Sequence, residues 1–284
     1  MPNERGPVCV SVINMKGGVG KTTIVALLGR HAANRDHRVL VVDLDPQANL
    51  SQAYMRNAYV QFLESEDPSI VEIFDGYRPP TSKRESPTRL DPKETVREVY
   101  ADGRLSYIPS RFDFSDNLVR AVKPDPKVLA RYIADHFQSK ALVLIDCPPT
   151  ESVFTRAAYH ASRYVLVPVR PEYFATVGFP LLAKSLDSFR VENPSHNIEV
   201  IGVVINNGFY DGGNDGGPEK QRAMPEILEE ANKNGWHIFE RQIPHSRGFP
   251  KLMRGDRSYG GNSWRFDMFA KEFFDRLGLE EEEQ

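Results

Sequence analysis

The chain has 284 residues, of which 40% are hydrophobic and 26% charged, with a formal net charge of −3. Such a composition is that of a globular protein, and its net charge excludes an overall attraction to DNA or anionic lipid, so any such binding must be local. Its two cysteines exclude a disulfide framework. Residues 1–7 lack the apolar stretch of a secretory signal, and no later run approaches ~18 apolar residues.

Strand and helix signals alternate along the chain, and no internal repeat is evident. This alternation predicts an α/β fold with a doubly wound, mostly parallel sheet flanked by helices. We expect residues 1–284 to form a single domain. The predicted strands are 8–14, 38–44, 105–109, 141–146, 164–169, 198–206 and 237–242, and the predicted helices are 21–34, 126–138, 175–190, 218–234 and 263–277.

The first strand signal runs into a glycine-rich segment, Lys16–Thr23, which is followed by a helix-compatible apolar stretch. This order is typical of a phosphate-binding loop, with Met15 in place of the pattern's first glycine. Glycines let backbone N–H groups turn toward phosphate oxygens, while a lysine adds charge and a threonine hydroxyl can bind Mg²⁺. The predicted nucleotide-binding residues of the loop are Lys16, Gly17, Gly18, Val19, Gly20, Lys21, Thr22 and Thr23.

Two later strand signals end in acidic residues. Asp43 and Asp45 follow the run 38–42, and because they are two apart on an extended chain they leave it from the same side. Asp146 ends the apolar run 141–145 and can hold the shell of a Mg²⁺ ion. Each acid alone would more often be a turn or cap residue, but three motifs in order favour one nucleotide site.

Two segments interrupt the alternation. Residues 77–104 combine four prolines with many charges, a composition that resists core formation, so we expect an exposed excursion with partner binding as the alternative. Residues 208–218 carry several glycines and two aspartates, and we expect a mobile surface loop because the carboxylates would repel phosphate.

With these motifs the chain resembles the ParA/MinD family of deviant-Walker ATPases, and the ParA branch in particular. The resemblance covers most of the chain and rests on Lys16–Thr23, Asp43–Asn49 and Ile145–Pro149, and more loosely on Tyr164–Tyr173 and Ile243-Pro244. It implies a phosphate-loop NTPase with a deviant Walker A motif, ATP and Mg²⁺ as cofactors, and a cytoplasmic homodimer formed with ATP.

The resemblance also assigns roles to individual residues. Lys16 would reach across the dimer to the partner's ATP, and Asp45 would orient the attacking water. Asp43 and Asp146 would support the Mg²⁺ ion that Thr22 ligates. Intrinsic hydrolysis would be slow, because a partner is needed to complete the arrangement around the terminal phosphate.

Asn206 lies where this family has an adenine-contacting asparagine. The sequence Asn206-Asn207-Gly208 is equally that of a turn, and both interpretations stay open. The segment also lacks the Asn-Lys-x-Asp pattern that many GTPases use to recognise guanine.

The stretch from Arg241 to Arg265 is locally basic, with six basic residues against one acid. Such a segment is suited to bind DNA phosphates without recognising bases, or it is a solvated basic face. ParA proteins bind nonspecific DNA through this part of the chain, which would also associate the protein with the nucleoid, although the family's arginine spacing is not reproduced. The candidate DNA contacts are Arg247, Lys251, Arg254 and Arg257.

MinD-like relatives bind membranes through a basic C-terminal helix. Here the predicted helix 263–277 is followed by an acidic tail, 278–284, whose carboxylates would oppose an anionic leaflet. We therefore expect the last helix to pack on the core and no membrane partner.

The resemblance implies a partner that stimulates hydrolysis, either a centromere-binding protein in DNA partitioning or a cargo adaptor. A scaffold that positions a protein cargo is the alternative function. A third possible function is that of a small-molecule ATP-dependent ligase or kinase. Lys16 and the lack of a second-substrate motif argue against it.

Overall fold

The computed structural model describes residues 6–76, 91–112, 125–172, 175–210, 217–246, 248–253 and 263–279. The strands in these residues are β1 (Val8–Val12), β2 (Val39–Asp43), β3 (Arg97–Glu98), β4 (Leu105–Ile108), β5 (Leu142–Asp146), β6 (Tyr164–Val169), β7 (Glu199–Tyr210) and β8 (Ile243–His245). The helices are α1 (Lys21–Ala33), α2 (Asn49–Met55), α3 (Ala58–Glu64), α4 (Ile70–Gly76), α5 (Pro92–Thr95), α6 (Val128–His136), α7 (Val153–Ala161), α8 (Gly178–Glu192), α9 (Gly217–Lys233), α10 (Phe249–Met253) and α11 (Ser263–Leu277).

The described strands form one sheet in the order β3-β4-β2-β5-β1-β6-β7-β8. Every pairing is parallel except that of β3 with β4 at the edge. The central strand β1 lies between β5 and β6, with Val12 opposite Asp146 in the register. The prediction of a doubly wound, mostly parallel sheet is confirmed.

Helices cover both faces of the sheet, which explains the continuous apolar runs of the central strands. In β1, Cys9 contributes to the core on one face, whereas Val10 and Val12 contribute to the core on the other. The first core is closed by α6, α7, α8 and α9, and the second by α1, α10 and α11. Side chains that alternate between two buried faces make both positions apolar.

The last helix packs on the core, as its pattern predicts. Phe269 and Phe273 of α11 are fully buried, and Phe269 contacts the ring of Phe239 edge-on at a centroid distance of 5.2 Å. None of the helices in the described ranges is both long and apolar enough to cross a bilayer. Residues 280–284, which hold most of the predicted acidic tail, lie outside the described residues.

The predicted strand at 237–242 is wrong. Only an isolated bridge joins Ile238 to Val203, and the edge strand is β8 at 243–245. The backbone N–H groups of Glu240 and Arg241 donate instead to the Glu272 carboxylate of α11, at 2.9 and 3.0 Å. A side chain from a distant helix thus replaces the strand partner, which no local pattern indicates.

Part of the expected excursion belongs to the sheet. Residues 91–104 form α5 and the edge strand β3, and Thr95 is fully buried with its hydroxyl against that of Tyr132. An antiparallel edge strand tolerates the charged composition that led us to expect an excursion. Residues 77–90 lie outside the described residues, as do 211–216 of the predicted surface loop.

The five predicted helices are confirmed, with ends shifted by up to three residues. The structure adds the short helices α2, α3, α4, α5 and α10 and the nine-residue α7. Helices of one or two turns owe their stability to tertiary packing, so they leave little periodicity in the sequence.

Two adjacent leucines of α8 provide a matched test of the packing. Leu182 is fully buried, whereas Leu181 is 57% exposed. We expect Leu182→Ala to lower the free energy of unfolding by about 2–5 kcal/mol, because it leaves a cavity in the core. Leu181→Ala should change it by less than about 0.5 kcal/mol. Urea denaturation of both variants tests this, and equal losses of stability would contradict the packing of α8.

Candidate nucleotide site

The candidate site lies at the carboxyl ends of β1, β2 and β5, the edge at which open parallel sheets bind ligands. The glycine-rich loop follows β1, Asp43 ends β2 and Asp146 ends β5. In the register Asp43 is paired with Asp146 and Asp146 with Val12, so the three motifs are brought side by side. The structure thus joins the residues that the sequence separates by more than a hundred positions.

The loop is held in place by two asparagines. Asn14 donates from Nδ2 to the Pro168 carbonyl at 2.8 Å and accepts from the Lys16 N–H at 2.9 Å. Asn206, at the far side, donates from Nδ2 to the Val19 carbonyl at 2.8 Å. Our sequence interpretation missed Asn14, although a polar residue at the end of an apolar strand was the available signal.

Gly20 precedes α1 with φ of 94°, a left-handed conformation that favours glycine. A Cβ there would also overlap the Asn206 side-chain amide. Asn206 is therefore buried against the loop, and its contact with adenine stays a prediction. Its neighbour Asn207 has a positive φ of 57°, as a turn residue does.

Lys21 lies inside the loop. Its Nζ donates to the carbonyls of Asn14 and Lys16 at 3.3 and 3.2 Å. Burial lowers the pKa of Lys21, while the nearby carboxylates of Asp146 and Asp45 act in the opposite direction. A buried ammonium that donates only to carbonyls is placed to exchange them for phosphate oxygens.

Lys16 extends the other way. Its Nζ forms an ion pair with Glu172 at 3.0 Å, and about a quarter of its side chain is exposed. Arg170 lies 3.6 Å from the same carboxylate and donates to the Gly18 carbonyl at 3.5 Å. Glu172 was not among the predicted site residues, because a glutamate after a strand carries no distinctive pattern.

The two strand-end aspartates are buried beyond reach of solvent. Asp43 accepts from the Ser51 N–H at 2.8 Å and from its hydroxyl at 2.6 Å. Burial raises the pKa of Asp43, and it raises the pKa of Asp146 well above its usual range, while the charge of Lys21 acts in the opposite direction on Asp146. Within the described residues, Asp43 Oδ1 and both oxygens of Asp146 have no hydrogen-bond donor.

These oxygens fit a divalent cation. Mg²⁺ is held in proteins by one or two carboxylates together with substrate phosphates. The described residues contain no cluster of three or more His, Cys, Asp or Glu side chains suited to a metal ion, so phosphate oxygens would have to complete the shell. Asp43, Asp146 and Thr22 are the residues that would hold it.

Asp45 occupies the mouth of the site rather than its floor. Its Oδ1 accepts from the Gln47 N–H at 2.9 Å, and its side chain lines a cavity of about 1020 Å³ together with Lys21 and Thr22. A carboxylate on the cavity wall can reach a water molecule beside a bound phosphate.

Of the four candidate DNA contacts, Lys251 is exposed on α10. Arg247, Arg254 and Arg257 lie outside the described residues. The position of α10 is informative: Arg30 of α1 donates to the Met253 carbonyl at 3.2 Å, and Met253 lines the cavity. The middle of the basic segment therefore lies at the edge of the candidate nucleotide site.

Comparison with known proteins agrees with this geometry. A family model described as AAA domain matches residues 8–200. The chromosome partitioning protein ParA of Caulobacter vibrioides is 30% identical over 203 residues, which are 69% of this chain and 68% of that protein.

Solved structures share the fold at lower identity. McdA of Cyanothece in complex with ATP has a TM-score of 0.79 and 18% identity, and the match covers 98% of this chain and 99% of McdA. Cobyrinic acid a,c-diamide synthase of Mycobacterium smegmatis, with bound ADP and magnesium, has a TM-score of 0.70 and 21% identity, covering 97% of each chain. The family match, the ParA relatives and the arrangement of the loop together show that the chain belongs to the ParA family of ATPases.

Proposed function

We propose that this protein is an ATP-dependent dimerising switch for DNA partitioning. Its ATP form would bind nonspecific DNA, and a partner protein that stimulates hydrolysis would reset it. The observation that carries the proposal is the opposite orientation of the two loop lysines. Lys21 is buried within its own loop, whereas Lys16 extends to the surface and pairs with Glu172.

Nucleotide binding follows from the loop and the buried carboxylates. The backbone N–H groups of 17–23 and the Lys21 ammonium bind the phosphates, and the amino end of α1 adds its positive dipole. Thr22, Asp43 and Asp146 would hold Mg²⁺, which would supply positive charge to offset the charge that develops on the phosphates. The ATP- and ADP-bound neighbours of the same fold support this assignment.

Hydrolysis requires a water molecule in line with the terminal phosphate. Asp45, on the cavity wall, orients that water and accepts its proton. In the described structure Lys16 is paired with Glu172 and is therefore not directed to a nucleotide. A slow intrinsic rate follows, because a dimer or a partner must redirect the lysine before the charge at the phosphate is balanced.

DNA binding is the output of the cycle in this proposal. The basic segment includes α10, whose Met253 lines the cavity and accepts a hydrogen bond from Arg30 of α1. A change in the nucleotide can thus alter the position of Lys251 and the arginines that follow. The name of the Caulobacter relative supports chromosome partitioning, and a cargo adaptor in place of a centromere-binding partner would make the same cycle position a protein cargo.

The first test separates nucleotide binding from dimerisation. We expect Lys21→Ala to abolish ATP binding, because it removes the buried cation. Lys16→Ala should keep binding in the monomer, since the bond from Lys21 to residue 16 goes to its backbone carbonyl, which alanine retains, but it should lose the ATP-dependent dimer. Calorimetry and light scattering measure the two properties, with Lys233→Ala, 70% exposed and far from the loop, as the control. A Lys16→Ala protein that dimerises like the wild type contradicts the role across the interface.

The second test concerns Asp45. Asp45→Ala and Asp45→Asn should both retain ATP and Mg²⁺ affinity and accumulate the ATP dimer, because the water is no longer polarised. The asparagine keeps an acceptor for the Gln47 N–H and so controls for a disturbed loop. Single-turnover hydrolysis and light scattering are the measurements, and wild-type turnover in either variant removes Asp45 from the mechanism.

The third test addresses DNA. With ATP present, the dimer should bind unrelated DNA sequences equally and lose affinity steeply with salt. Replacing Arg247, Lys251, Arg254 and Arg257 by Ala should lower the log–log salt slope by about one unit per lost phosphate contact, doubled where both protomers contribute. A control variant changes four basic residues elsewhere: Arg38, Lys184, Arg222 and Lys233.

Fluorescence anisotropy over a salt series gives both slopes. Equal slopes in the two quadruple variants would make the basic segment a solvated face. A wild-type ATP dimer that binds no DNA would contradict the partitioning role and favour a protein cargo.

A further inference from the structure

The outer wall of the nucleotide cavity is formed by one face of α2. Asn49, Gln52, Ala53 and Arg56 line it, at helical spacings of three, four and seven residues. The glycine-rich loop and Lys21 line the same cavity. Arg56, at the end of the helix, thus brings a second cation to a space that already holds one.

The Arg56 guanidinium makes no hydrogen bond or ion pair with any described residue; only the backbone of Arg56 is bonded, to Gln52 and Tyr59. Several other arginines in the described ranges are instead paired with carboxylates, among them Arg97, Arg131 and Arg156. Arg56 is exposed to the cavity and keeps five N–H donors for a ligand.

The backbone at Arg56 is strained. Its φ of 55° and ψ of −126° lie in a region that favours glycine. Such conformations in side-chain-bearing residues are costly and are concentrated at ligand sites. The structure keeps a long cationic side chain at a position where glycine would be more stable, which indicates a role for the side chain.

We propose that Arg56 binds the terminal phosphate of the nucleoside triphosphate from the α2 part of the cavity that the loop also lines. A guanidinium matches the paired oxygens of a phosphate, and the charge-assisted contact is strong. The contact is made within one chain and is absent with a diphosphate, so Arg56 lets the site distinguish ATP from ADP. This role of Arg56 rests on the nucleotide-binding part of the proposed function and is independent of dimerisation and of DNA binding.

The test compares affinities for a non-hydrolysable ATP analogue and for ADP, measured by calorimetry with Mg²⁺ at low protein concentration. We expect Arg56→Gln to weaken the analogue about tenfold and to leave ADP within twofold. Arg56→Lys should lose less. The control Arg38→Gln changes an exposed arginine just before β2, at the end of that strand away from Asp43, and should alter neither affinity.

A glycine variant distinguishes ligand binding from a structural role. Arg56→Gly relieves the backbone strain, so its melting temperature should rise by about 2–4 °C, while the analogue affinity falls as in Arg56→Gln. A structural role for the side chain would lower both quantities together.

If Arg56→Gln and Arg56→Gly kept the wild-type affinity for the analogue, the role of Arg56 would be overturned, while the rest of the proposed site would stand. Equal losses for both nucleotides would also overturn it, because the contact would not be with the terminal phosphate. A wild-type protein that binds neither nucleotide would overturn the site itself, and with it the proposed function.

Discussion

Two carboxylates buried side by side are the constraint on which the site depends. Asp43 and Asp146 are register partners on adjacent parallel strands, without solvent, and three of their oxygens have no donor within the described residues. Buried like charges are stable only when a cation is close or when they are protonated. The Lys21 ammonium supplies part of the compensating positive charge, and the Mg²⁺ of a bound nucleotide would supply the rest. Because these carboxylate oxygens have no donor, binding of a cation or nucleotide would also stabilise the ends of β2 and β5 that carry them.

The same constraint explains why the loop is fastened so firmly. Asn14, just after β1, and Asn206 of β7 form hydrogen bonds with the loop backbone, and Ser51 of α2 satisfies one oxygen of Asp43. A phosphate site acts through charges and N–H groups that are already in position when the ligand arrives. The elements that move in such a cycle must then be those outside this frame, among them the surface pair of Lys16 and Glu172.

In the proposed cycle, this difference between the fixed loop and the surface groups would link ATP hydrolysis to DNA binding. The buried part of the site changes little, whereas its rim carries groups that can exchange partners. Met253 places α10 and the basic segment on this rim, and Arg56 places the end of α2 there. In the proposed cycle the terminal phosphate would lie near these rim groups, so its loss on hydrolysis would remove charge at the point from which α2 and α10 would respond.

The sequence by itself determined the mostly parallel arrangement of the sheet, five of the described helices and the three motifs, because parallel strands buried on both faces and a glycine-rich turn leave strong local patterns. It also predicted that Asp43 and Asp146 meet, since the carboxyl ends of parallel strands share one edge. Only the tertiary structure decided where Asn14, Glu172 and Arg56 lie, and that Glu272 takes the place of a strand partner for Glu240 and Arg241. Those contacts join residues distant in sequence, and a single polar residue carries no periodicity from which they could be inferred.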